Sequence, residues 1–199
     1  MHVINLHLKS RRPTSIAGEQ DPQRTYRWLS ASGWAEGYFL SSLKRVTQAL
    51  ETRLLIDSVL DGDEDARIVV AGDLNADVDE VPVEAILGRI ENTQNPNLIG
   101  RVLFAVEATV PEPSRYTLFH HGRRSMLDHI LVTRNLVSVY RGTEIHNELL
   151  HDESIAFAGD DQYPESDHAP VVATFDFAPG IDLTTSAADE IDTPAPLIR

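Results

Sequence analysis

From Val3 to Leu8 apolar and polar side chains alternate, with Ile4, Leu6 and Leu8 on one side and Asn5 and His7 on the other. That period of two is the mark of a half-buried strand. Residues 10–32 lose the rhythm and carry Pro13, Gly18, Pro22 and several arginines, so they read as a long loop. Loops beyond about 12–15 residues without structure of their own are uncommon and often functional. From about Gly37 to Leu60 the period changes. Phe39, Leu43, Val46, Leu50 and Leu54 recur at three- and four-residue steps, which predicts a long amphipathic helix ending at Asp61-Gly62-Asp63. Ile68-Val69-Val70-Ala71 is short and uniformly apolar, as in a strand covered on both faces. A turn-rich segment from Gly72 to Glu80 leads into a short helix opened by Pro82. Further strands are expected around Arg115–Leu118, Leu127–Thr133, Val137–Ile145 and Ala169–Phe175. Strand–helix–strand succession indicates an α/β sandwich over residues 1–177. The stretch 178–199 holds Pro179, two prolines flanking Ala195, four acidic residues and no aromatic, and is expected to be a disordered tail.

At 199 residues, 42% of them hydrophobic, the chain suffices for one domain with a sizeable core. Against 17 basic side chains stand 31 acidic ones, for a formal net charge of −14. That surface repels polyanions at long range, which argues against tight duplex binding by charge alone, but it suits divalent cations. There is no cysteine, so disulfides and thiolate metal sites are excluded. No run is long enough to span a membrane, and the opening residues lack the basic leader of a signal peptide. A cytoplasmic location is the default expectation.

Four segments place polar residues at the edges of apolar strands: Asn5-Leu6-His7-Leu8-Lys9-Ser10, Gly72-Asp73-Leu74-Asn75-Ala76-Asp77, Leu127-Asp128-His129-Ile130-Leu131 and Ser166-Asp167-His168-Ala169-Pro170. Strand ends in α/β sheets are where ligand-binding groups gather. Asp73 and Asn75 lie two apart beyond a buried strand, so a carboxylate able to hold a metal or orient a water stands beside a neutral amide donor. An ordinary Asx turn would use the same residues. Asp167 is a hard oxygen ligand, and the adjacent His168 can act as a base or as a cation beside phosphoryl oxygens. It follows an acidic loop with Asp160, Asp161 and Glu165, and a loop pair without chemistry is the plainer alternative. Asp128, at a strand's entry, can hold an imidazole in one tautomer. His129 points the other way and reads as a packing or edge residue, and His7 alone reads as a surface strand histidine. Lys9, Arg11, Arg12, Arg24 and Arg27 could track a nucleic-acid backbone, with Tyr26 and Trp28 stacking on bases. Solvated loop charges and core anchors explain the same residues equally well.

Taken in order, the four segments resemble the endonuclease/exonuclease/phosphatase (DNase I-like) superfamily, over about residues 2–176. The pair Gly-Asp-x-Asn and Ser-Asp-His-x-Pro carries most of the specificity. The resemblance implies a four-layered αββα sandwich with the active site between two sheets, and a Mg²⁺- or Mn²⁺-dependent phosphoesterase, most of all a nuclease-like phosphodiesterase. Phosphomonoesterases and lipid phosphodiesterases share the motifs. It further implies that Asp73 positions or deprotonates the attacking water and that Asn75 and His7 contact the scissile phosphate. Asp167 would be a metal ligand, with Asp73 and Asn75 beside it, while Asn5 and Lys9 would help bind the substrate. His168, oriented by Asp128, would stabilise the transition state or transfer a proton. Family members carry an Asn and a metal-binding Glu ahead of the His-bearing strand. The first half of the sandwich is therefore expected to be missing, leaving an upstream segment or second polypeptide to complete it, or else an inactive fragment acting as an interaction protein.

Overall fold

The computed structural model describes residues 1–91, 93–156 and 166–177. The expected tail, 178–199, and Asp160, Asp161 and Glu165 lie outside the described residues. In chain order the elements are β1 (His2–His7), β2 (Gln20–Asp21), β3 (Arg24–Trp28), α1 (Ala31–Gly62), β4 (Ile68–Asp73), α2 (Val81–Leu87), β5 (Leu103–Ala105), β6 (Leu118–His120), β7 (Arg123–Ser125), β8 (Asp128–Thr133), β9 (Tyr140–Ile145) and β10 (Val171–Phe175). Several single helical turns connect them, one of which, Val106–Thr109, matters below.

The main sheet runs β1-β4-β8-β5, with β1 parallel to β4 and the other pairings antiparallel. One of its faces meets the helices: Ile4, Leu6, Ile68, Val70, Leu131 and Leu103 pack with Ala49, Ile56 and Leu60 of α1 and Val83 and Ile86 of α2. The opposite face meets the β9–β10 ribbon through Val69, Ile130, Val132, Tyr140, Ala173 and Phe175. Helix layer, sheet and second sheet follow one another, a mixed α/β sandwich as expected. The uniformly apolar β4 sits at the centre, covered on both sides. Among the described residues no helix is long and apolar enough to cross a membrane.

Three elements depart from the pattern reading. The presumed loop 10–32 contains the β2–β3 hairpin and the first turn of α1, which starts at Ala31 behind an N-cap in which Ser30 Oγ accepts from Gly33 N. Its onset was hidden because the inward positions of those turns are Gly33 and Gly37, which carry no hydropathy signal. Arg115 is not in a strand: its guanidinium donates to Val110 O and Ala108 O, and β6 begins only at Leu118. Val137 closes a helical turn, with β9 starting at Tyr140.

A further departure is the face of α1. The apolar stripe that announced the helix is exposed, Phe39 at 62% and Leu50 at 52%, while Gly37, Ser41, Arg45, Ala49 and Thr52 are buried. The loop after β1 explains this. Ser41 Oγ donates to Ser10 O and Arg12 O, and Arg45 donates to Lys9 O and Ser10 O. The inward face of the N-terminal half of α1 satisfies backbone carbonyls, a task for small and polar side chains. Only its C-terminal half, through Ile56 and Leu60, reaches the apolar core.

Candidate active site

The strand registers bring the polar ends together. His7 is paired with Asp73 across β1–β4, and Asp73 with Asp128 across β4–β8, so the three form one cross-strand row. Residues paired across a sheet point to the same face. Here it is the face that β9–β10 partly covers, and His168 enters that space from the turn just ahead of β10. His7 Nε2 lies 3.4 Å from Asp73 Oδ2. His168 Nδ1 lies 2.6 Å from Asp128 Oδ2. One ligand atom each from Asp73, Asp128 and His168 fall within 4.8 Å of one another.

The turn after β4 is tightly held. Gly72 has φ +136, and a side chain there would run into the Leu6 carbonyl of the neighbouring strand, so only glycine fits. Asn75 takes the left-handed conformation, φ 50, which asparagine tolerates. Its backbone N–H donates to Asp73 Oδ1 at 2.8 Å, and its Nδ2 donates to Asp73 Oδ2 at 2.9 Å and to Leu8 O at 3.1 Å. Asp77 Oδ1 accepts from Met126 N, which ties the turn to the approach of β8. Thr117, fully buried, accepts from Leu127 N and Asp128 N through its hydroxyl and from Ala169 N through its carbonyl. It therefore fixes Asp128 and the His168 turn together. Nothing in the local sequence around Thr117 signalled that role, since a lone threonine carries no motif.

The electrostatics follow from this packing. Burial raises the Asp73 pKa; the Asn75 N–H bond works against that, the Asp128 charge adds to it, and His168 and His7 oppose it. The His168 imidazole is pushed up to about 9, first by its hydrogen bond to Asp128, with burial opposing and the charges of Asp128, Asp73 and Asp167 assisting. At neutral pH the ring is a cation held against Asp128 beside a half-buried carboxylate.

The sequence-predicted residues divide. His7, Asp73, Asn75, Asp128 and His168 are gathered at the ends of three strands. Asn5 is exposed, two residues back from His7 and so on the same face of β1. Asp167 is exposed and outside the cation-sized cluster, where Asp128 stands instead; it adds negative potential at His168. Asn75, expected at the phosphate and the metal, has its amide N–H groups committed to Asp73 and Leu8. Lys9 does not reach out: its Nζ donates to Ser10 O, Ser10 Oγ and Arg12 O within its own loop. Arg11 donates to Asn75 O and pairs with Asp77 and Glu80, and Arg27 pairs with Asp21. Trp28 lies half-buried against Gly37, whereas Tyr26 is 85% exposed on β3, and Arg12 and Arg24 are exposed.

His129, read as a packing residue, is fully buried on the opposite face of β8 from Asp128. Its partner Glu107 is buried too and was missed altogether, because it lies 22 residues upstream in a single helical turn with no recognisable motif.

Residues 18–164 match the family model described as Endonuclease/Exonuclease/phosphatase family. Among solved structures the chain is similar to the 3′ phosphatase NExo from Neisseria bound to a product DNA hairpin, at 18% identity and a TM-score of 0.45. The similarity covers 88% of this chain and 61% of that one, so the chain spans about three-fifths of that protein's length. Comparison with curated proteins finds no match.

Proposed function

We infer that this chain, which belongs to the endonuclease/exonuclease/phosphatase family, carries a divalent-metal-dependent centre for hydrolysing phosphoester bonds, with phosphodiesters as the substrate class. The observation that supports this most directly is the row His7–Asp73–Asp128 facing His168, with a carboxylate and a protonated imidazole on either side of one small space.

Hydrolysis at phosphorus needs an oriented water, charge stabilisation on the phosphoryl oxygens and a proton for the leaving group. Asp73 is placed to accept the proton of the attacking water, because Asn75 fixes both of its oxygens and burial favours proton uptake. As the water oxygen bonds to phosphorus and the opposite phosphorus–oxygen bond breaks, the leaving oxygen takes a proton from the exposed nitrogen of His168. Asp128 holds the resulting ring in one tautomer. His7, with its ring mostly exposed, is available to a non-bridging oxygen.

The donor set fits a divalent cation. Two carboxylates, the Asp73 one with its pKa raised by burial and further by the Asp128 charge, form a negative site that such a cation relieves. Asp73 and Asp128 would supply hard oxygen ligands, with the protonated His168 ring beside them and not among the ligands. The chemistry supplied by a bound Mg²⁺ or Mn²⁺ would be neutralisation of charge on the phosphoryl group. Asp167 stands near enough to add potential.

The test is hydrolysis of bis(p-nitrophenyl) phosphate, p-nitrophenyl phosphate and labelled single-stranded and duplex DNA and RNA, with Mg²⁺ or Mn²⁺ and with chelator. Chelator-sensitive diester cleavage, lost in Asp73→Asn and His168→Gln, is expected. Cleavage that survives chelation or both substitutions overturns the assignment, and preference for the monoester replaces the substrate class. A chain that cleaves nothing and binds no Mn²⁺ by calorimetry is the non-catalytic relative.

A further inference from the structure

Glu107 and His129 are a buried, polar pair in a place where two apolar side chains would fill the space. Their side chains are 1% and 0% exposed, and His129 Nδ1 lies 2.5 Å from Glu107 Oε1. The other ring nitrogen, Nε2, is 2.8 Å from Ala76 O. A carbonyl has no proton to give, so Nε2 carries one and donates it. Glu107 Oε2 also accepts from Ile130 N at 3.4 Å, anchoring the carboxylate to β8 itself. The ring thus braces three elements: the helical turn Val106–Thr109, β8 and the turn after β4.

What it braces is the catalytic turn. Ala76 directly follows Asn75, which has a left-handed φ of 50, so fixing the Ala76 carbonyl fixes how the chain leaves that turn. Asn75 in turn fixes both oxygens of Asp73. Burying polar groups is costly unless each has a partner, and here each ring nitrogen has one. An apolar substitute would fill the volume but could not fix the direction of a carbonyl.

We propose that Glu107 and His129 are positioning residues of the phosphoester site: by holding the Ala76 carbonyl they set the left-handed turn at Asn75 and thereby aim the Asp73 carboxylate. The proposal rests on the phosphoesterase reading for its kinetic consequence and on geometry alone for the brace. Outer partners that orient catalytic groups typically contribute about 10–100-fold in activity or metal affinity.

Two amide substitutions separate bracing from mere packing. In His129→Gln the side-chain amide reaches the place of Nε2 and can still donate to Ala76 O. In His129→Asn it reaches only the place of Nδ1, so Glu107 keeps a partner while Ala76 loses its donor. With Mn²⁺ and bis(p-nitrophenyl) phosphate, His129→Asn is expected to lower kcat about 10–100-fold with KM within about twofold, and His129→Gln to recover most of the loss. Amide exchange by mass spectrometry should accelerate in residues 73–77 of the Asn variant while the β4–β8 ladder stays protected. On the wild-type protein, a scalar coupling across the hydrogen bond between His129 Nε2 and the Ala76 carbonyl carbon should be detectable by NMR. Equal kcat in both folded variants, unchanged exchange at 73–77, or an absent coupling each overturns the brace. A wild-type chain that hydrolyses nothing removes the phosphoesterase reading, and exchange and coupling still decide the brace.

Discussion

Two imidazole–carboxylate pairs begin at neighbouring residues of β8 and live in opposite surroundings. Asp128 holds His168 in the cleft, with side chains 23% and 26% exposed; His129 holds Glu107 in the interior, with neither side chain more than 1% exposed. Strand alternation makes this possible, since adjacent side chains leave opposite faces of the sheet. In the cleft pair, water and substrate can reach the ring, so its charge can serve chemistry. In the interior pair no solvent is available to take a lost partner's place, so the bond serves to fix shape. On the proposed reading the same two functional groups are a reactive device on one face and a brace on the other, and the burial decides which.

The largest contrast is expected in turnover. Asp128→Asn leaves the volume unchanged but removes the charge that holds the His168 proton, and general acid catalysis typically contributes about 10²–10⁴-fold. Turnover on a diester with Mn²⁺ should fall by that order, while stability measured above about pH 9, where the His168 charge is already lost, changes by no more than about 1 kcal/mol. Comparable losses in the two readouts would make Asp128 a structural residue and erase the distinction between the pairs.

Stability should report the interior pair instead. His129→Leu leaves the buried Glu107 carboxylate with only the long bond from Ile130 N, a kind of change that destabilises by about 3–5 kcal/mol. Urea denaturation followed by circular dichroism measures it. A loss below about 1 kcal/mol would mean that water reaches Glu107 and that the pair is not a closed interior unit.

The cleft pair also sets a pH window. His168 is raised from 6.5 to about 9 in the folded chain. A group raised on folding contributes stability that is complete below its unfolded pKa and lost as pH rises through its folded one. The melting temperature of the metal-free chain should therefore decline between about pH 6.5 and 9, and the decline should flatten in Asp128→Asn. NMR titration of the His168 ring gives the same answer directly: a midpoint that stays put in the variant removes Asp128 as the cause.

How much of this was written legibly in the sequence depends on what kind of order carried it. β1, β4 and β8 announced themselves by period or by unbroken hydrophobicity, and the polar residues at their ends, His7, Asp73 and Asp128, fell into one row as soon as the register was known. The length of α1 was legible but its orientation was not. Phe39, Leu43, Leu50 and Leu54 make the stronger stripe, yet the helix buries Gly37, Ser41 and Arg45 because a polar loop lies across it. Hydropathy reports transfer to an apolar medium and says nothing of a backbone that must be hydrogen-bonded. Asp167 was assigned by its hard oxygen and its motif, and Lys9 by its charge and its place after the His-bearing strand; three dimensions put Asp128 in the cation-sized cluster and fold Lys9 onto its own loop. Glu107 could not be found by any local rule, since its importance arises from a contact 22 residues away.

The finest discrimination between the two pairs comes from repeating one chemical change at both. Glu107→Gln is the interior counterpart of Asp128→Asn: carboxylate to carboxamide, with shape kept. In the wild-type pair burial disfavours the imidazolium, but the Glu107 hydrogen bond and charge outweigh it, so the His129 pKa is raised, and each ring nitrogen faces an oxygen acceptor. With glutamine the ring turns neutral, keeps its proton on Nε2 for Ala76 O, and accepts at Nδ1 from the new amide. Every polar atom of the pair keeps a partner, and one buried charge pair is exchanged for a neutral one, a change that is often close to neutral in energy. Glu107→Gln is therefore expected to alter stability by no more than about 1 kcal/mol, the span of one net hydrogen bond, and to leave kcat within about twofold, small against the range general acid–base catalysis supplies at the cleft. Denaturant midpoints and diester hydrolysis measured side by side for the two substitutions decide the matter. A large kcat loss in Glu107→Gln with stability intact would show that the interior charge, and not the direction of the Ala76 carbonyl, is what the site uses.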